Sequence, residues 1–139
     1  MSAGRSFLDT NVLVYTDDQD SPEKQRRALE IFADCRRGGN GVVSMQVLQE
    51  YFVTATRKLR VAVDVARRKT ELFGRLHLVT PELDDVLGAI DLHRLHGFSF
   101  WDALIVRSAL VSGCSRLLSE DLQAGRRLEG LEIVNPFVS

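Results

Sequence analysis

The sequence predicts one α/β domain over residues 1–139, with a mainly parallel sheet of about five strands flanked by helices. Three observations predict it. Short apolar runs alternate with amphipathic segments from end to end, the pattern of parallel strands joined by helical crossovers. The 139 residues suit one core of ordinary size. No internal repeat, low-complexity stretch or linker divides them.

The elements follow in order. The runs "SFLD" (6–9), "GVVS" (41–44), "LHLV" (76–79), "SRLL" (115–118) and "LEIV" (131–134) are each short enough for a buried strand. Ser21-Pro22-Glu23 starts a helix through "EKQRRALEIFADCRR", which Gly38-Gly39 ends. Ser44 opens "MQVLQEYFVTATRKL", and a further helix covers "VDVARRKTELFG". Thr80-Pro81-Glu82 begins another that closes near Gly97, and a last helix runs from Ser99 to about Gly113.

Composition narrows the classes. With 45% hydrophobic and 27% charged residues the balance is that of a soluble globular protein. Neither end shows a long apolar run, so the expected location is cytoplasmic, with no membrane contact. Cys35 and Cys114 belong to no CxxC pattern, which argues against a zinc knuckle or redox dithiol. A net charge of −1 does not announce a nucleic-acid binder. Fifteen of the eighteen basic residues are nevertheless arginine, clustered at 26–27, 36–37, 57–60, 67–69 and 126–127, and the guanidinium fork suits phosphate. Any one cluster reads better as a solvated helix face, and the group gives only weak support for a phosphate-bearing partner.

In open α/β sheets the site lies beyond the carboxyl ends of the strands, which directs attention to acids there. Asp9 closes the first run and Asp121 follows the fourth. Asp102, in "SFWDALIV", has two readings: the acid of a capping box with Ser99, or a site acid in the first turn of its helix. Glu50 falls outside the apolar arc of Val47, Leu48, Tyr51, Phe52 and Ala55, so periodicity alone makes it a surface acid. If these carboxylates converge, mutual repulsion raises their pKa values and a divalent cation relieves it. Oxygen-only ligands select Mg²⁺ or Mn²⁺, and the chemistry is then hydrolysis at phosphate.

"FLDTNVLVY", "VSMQVLQEYF", "FSFWDALIV", "LLSEDL" and the terminal "VNPF" together resemble the PIN-domain ribonucleases, specifically the VapC toxins of bacterial toxin–antitoxin systems. The resemblance spans the whole chain, and it rests on the order and spacing of four acids. It implies a PIN-like domain that cleaves RNA endonucleolytically with Mg²⁺ or Mn²⁺, leaving a 5′-phosphate and a 3′-hydroxyl. Its acidic site falls on Asp9, Glu50, Asp102 and Asp121, with Thr10, Asn11 and Ser119 at supporting polar positions. Asp121 is preferred to its neighbour Glu120 because the family pattern sets a hydroxyl, here Ser119, two residues before the acid. The resemblance, not periodicity, promotes Glu50. It also implies a homodimer and a VapB-type antitoxin that inserts a segment into the acidic groove.

Rival readings fit less well. A receiver domain needs an aspartate closing the third strand, where this chain has "HLVTPEL", and a haloacid-dehalogenase phosphatase wants DxD where Asp9-Thr10-Asn11 stands. A catalytically silent PIN-fold binding module for RNA or protein is the alternative of another class. His93 and His96 offer half a zinc site with no third ligand. Trp101 is assigned to packing rather than base stacking, and Asp17, Asp18, Asp20, Asp84 and Asp85 to solvated loops or first turns.

Overall fold

The computed structural model describes residues 4–138. Residues 1–3 and 139 of the expected 1–139 domain lie outside the described residues. Strands β1 (Arg5–Leu8), β2 (Gly41–Ser44), β3 (His77–Val79), β4 (Cys114–Leu118), β5 (Arg127–Leu128) and β6 (Leu131–Val134) form one sheet in the order β3-β2-β1-β4-β6-β5. All pairings are parallel except β5 with β6. Five strands match the apolar runs. The sixth, β5, has two residues and rides antiparallel on the edge, too short for any periodicity to mark.

Helices α1 (Thr10–Tyr15), α2 (Pro22–Gly38), α3 (Met45–Arg57), α4 (Val63–Phe73), α5 (Leu83–His96) and α6 (Phe100–Val111) connect the strands. Every residue of β2 is buried, as a parallel strand covered on both faces must be. Phe7, Leu8, Val42, Val43, Leu117 and Ile133 from four strands form the centre of the core. At about 25 cal/mol per Å² of apolar surface removed from water, such side chains supply most of the driving force for folding.

Local signals set the helix ends. Ser44 caps α3 by accepting from the Val47 amide, and Ser99 caps α6 by accepting from the Asp102 amide. Gly39 and Gly97 stop α2 and α5 in left-handed backbone, φ 66° and 77°. The start of α5 differs from expectation. Glu82, not Thr80, is its cap, in a reciprocal box with Asp85. Helix α1, absent from the sequence reading, is six residues turning directly out of β1, and Asp9 caps it by accepting from the Thr10 amide at 2.7 Å.

This topology positions the site. From β1 the chain builds outward through β2 and β3, then returns to the other side of β1 with β4. The sheet therefore has its switch point between β1 and β4, where a crevice opens beyond the strand ends. The Asp9 amide donates to the Leu118 carbonyl at 3.0 Å, locking the two strand exits together.

Candidate active site

Asp9 leaves β1 almost fully buried, at 4% exposure. Its carboxylate accepts from the Ser119 hydroxyl at 2.6 Å and from the Thr10 amide, with the Asn11 amide nitrogen 3.4 Å away. Ser119, itself wholly buried, accepts in turn from the Asp121 and Leu122 amides, so one hydroxyl ties the exits of β1 and β4. The Asn11 Nδ2 also reaches Asp121 Oδ2 at 3.1 Å, while Asn11 Oδ1 accepts from the Glu120 amide. From α1, the Thr10 hydroxyl donates to Glu50 Oε1 at 2.6 Å, bringing the second acid to the first.

Burial is the main cause pushing the Asp9 carboxyl up from 3.8 to about 6. Its hydrogen bonds with Ser119 and Thr10 oppose the rise, and the charges of Glu50 and Asp102 add to it. Burial likewise raises the Asp102 carboxyl, helped by the charges of Asp121 and Glu50. Each of the four acids thus lies within electrostatic reach of others in the group. Only the serine half of the expected capping box forms, with Ser99 accepting from the Asp102 amide, while the Asp102 carboxyl feels the charges of Asp121 and Glu50.

Among the described residues none of the four forms an ion pair. Glu120 goes elsewhere. It accepts from the Tyr15 hydroxyl at 2.5 Å and from Lys24 at 2.6 Å, leaving Asp121 as the acid of this loop held by Asn11. A cleft of about 300 Å³ is lined by Thr10, Asn11, Tyr15, Lys58, Glu120 and Asp121 among others, so that Asp121 is the one of the four acids on its wall.

The PIN domain family model matches residues 6–128. The chain belongs to the PIN domain family. Two solved structures share the PIN fold with it. A chain of a toxin–antitoxin complex from Klebsiella pneumoniae is 17% identical, with a TM-score of 0.69 over 94% of this chain and 97% of that one. VapC20 from Mycobacterium tuberculosis, a sarcin-ricin loop cleaving toxin, is 15% identical, with a TM-score of 0.62 over 84% of this chain and 89% of that one. Among curated proteins no sequence matches.

PIN nucleases generally use divalent metal ions. The donor set here fits such an ion: oxygen ligands alone, carboxylates without a counter-cation, and a buried acid whose charge is disfavoured until a cation stands beside it. Among the described residues no three acids, histidines or cysteines close around a common point as ligands do. Thr10, Asn11 and Ser119 are the side chains that tether Glu50, Asp121 and Asp9 by hydrogen bonds.

Three assignments change. Asp17 is not a solvated acid: Lys69 Nζ lies 2.6 Å from it and the Tyr51 hydroxyl donates at 2.7 Å. Asp85 is a first-turn acid as expected, and it also pairs with Arg107 at 3.1 Å. Trp101 is not packed away, with 62% of its surface exposed next to Asp102. Glu50 is half-buried rather than on the open surface, because the helix face that misses the core meets the crevice instead. His93 Nδ1 is engaged by the Phe98 carbonyl, a contact that holds the α5–α6 turn. Sequence reasoning missed Gln46 altogether. Its only signal was a position one turn before Glu50.

Proposed function

We propose that this PIN domain is a metal-dependent endoribonuclease that cleaves RNA phosphodiester bonds as the toxin of a VapBC-type pair. The observation that supports the reading is a hydrogen-bonded network in which Thr10, Asn11 and Ser119 tether Glu50, Asp121 and Asp9, none of them paired with a cation, while the charges of Glu50 and Asp102 act on Asp9. In this reading the four acids hold Mg²⁺ or Mn²⁺. Bound there, such an ion supplies an activated water and neutralises charge on the phosphate.

The chain's own residues prepare that chemistry. Ser119 and the Thr10 amide fix Asp9, the Thr10 hydroxyl orients Glu50, and Asn11 holds Asp121, so the carboxylate oxygens are aimed before substrate arrives. Lys58, which lines the same cleft as Asp121, is the proposed contact for the RNA backbone. No helix among the described residues is long and apolar enough to cross a membrane. Leu83, Leu87 and Ile90 form an exposed apolar stripe on α5, which supports the homodimer. The cleft is the proposed seat of the VapB-type antitoxin segment, and the toxin–antitoxin neighbour supports that partner.

Mapping cut ends in total cellular RNA, with the wild type against Asp9→Asn, tests the reading. New 5′-phosphate ends that need Mg²⁺ or Mn²⁺ and vanish in Asp9→Asn support it. Binding of RNA or antitoxin without any cut makes the domain a silent binding module instead.

A further inference from the structure

Gln46 lies in the first turn of α3 and is 8% exposed. Its Nε2 faces two acceptors on different elements, Glu50 Oε2 at 3.3 Å and the Trp101 carbonyl at 3.2 Å. A primary amide has two protons, one for each. The orientation is dictated by the partners, since a flipped amide would set Oε1 against a carboxylate and a carbonyl. Oε1 is buried with no partner at all. Packing does not ask for that: a methionine would fill similar space without burying an unpaired oxygen, which is an unfavourable arrangement. What the amide provides is the link its NH₂ makes between α3 and the first turn of α6.

The two ends of that link have a common purpose. One is the carboxylate of Glu50, whose other oxygen is held by Thr10. The other is the peptide unit joining Trp101 to Asp102, because the Trp101 carbonyl belongs to it. We infer that Gln46 is a positioning residue that sets Glu50 and Asp102 at a fixed separation, through one amide, for the divalent ion. The inference rests on the metal-dependent reading above. Thr10 registers Glu50 against the β1 exit, and Gln46 registers it against α6, so Glu50 is held from both sides.

The test is Mn²⁺ binding to the full chain without RNA, followed by electron paramagnetic resonance of the free ion, for wild type, Gln46→Met and Asp9→Asn. Gln46→Met should bind Mn²⁺ roughly 10- to 100-fold more weakly, the usual consequence of removing an outer partner of a ligand. Its KM for RNA should stay at the wild-type value. Its kcat should fall at limiting Mn²⁺ and return when Mn²⁺ is in excess, a rescue that a packing defect would not show. A folded Gln46→Met with wild-type Mn²⁺ affinity overturns the inference while leaving the nuclease reading intact. A wild-type chain that neither binds Mn²⁺ nor cleaves RNA overturns both. If Gln46→Met does not fold, Gln46→Asn, which keeps the NH₂ on a shorter arm, takes its place, with weaker binding supporting the inference and parity overturning it.

Discussion

Asp9 and Asp17 bracket the same short helix, one capping the start of α1 and the other just beyond its end, yet their surroundings are opposite. Asp17 is met by a lysine and a tyrosine hydroxyl. Asp9 is met by neutral donors and by other acids. Glu120 and Asp121 repeat the contrast one residue apart, the first on Lys24 and the second on Asn11. A carboxylate that serves the fold carries its own cation in the chain. Asp9 and Asp121, one buried and the other exposed, are held by neutral groups and have no cation of the chain beside them, as the proposed metal role requires.

Exchanging each acid for its amide is the most forceful way to break this contrast. Asp9→Asn should lower RNA cleavage by more than about 100-fold while the metal-free melting temperature holds or rises, because repulsion is relieved. Asp17→Asn should do the reverse: it strands Lys69, costs about 2 kcal/mol in urea unfolding, and leaves kcat near wild type. Similar losses of activity from both variants would erase the distinction.

Stability against pH sharpens it. The Asp9 carboxyl titrates near 6 in the folded chain and near 3.8 when unfolded, so the folded state binds more protons across that window. The metal-free protein should therefore gain stability as pH falls from about 7 through 6 toward 4, by on the order of 3 kcal/mol from Asp9. The sign is opposite to that of an acid whose pKa is depressed. Urea midpoints of wild type and Asp9→Asn across this range check it, the variant lacking that slope. Lys58→Ala is the mildest change. It should weaken RNA binding evenly across sequences and reduce the slope of log K against log salt by about 0.7, as one phosphate contact would, read by anisotropy titrations at several salt concentrations.

Much of this was legible in the residues. The alternation of runs carried the parallel sheet, and caps such as Ser44 and Ser99 marked helix starts within a residue. Strand ends alone pointed to Asp9 and to the Glu120-Asp121 pair, since topology brings those ends together, and the resemblance chose Asp121 within the pair. Glu50 could not. Hydrophobic periodicity reports which face of α3 meets the core, and it reads a polar crevice and open solvent alike. The paired states of Asp17 and Asp85 were hidden for a related reason: their cations, Lys69 and Arg107, lie 52 and 22 residues away, and only the fold sets them in contact. Helix α1 escaped because six residues following a strand without a break carry too little pattern to separate from it.

The unpaired charge of the acidic crevice is tested most directly by isothermal titration of Mn²⁺ into the full chain at neutral pH, beside Asp9→Asn. Saturable binding in the wild type that is lost in the variant, with proton release growing as pH falls toward 6, is the expected result. Equal heats from the two proteins, or no binding by either, would contradict it.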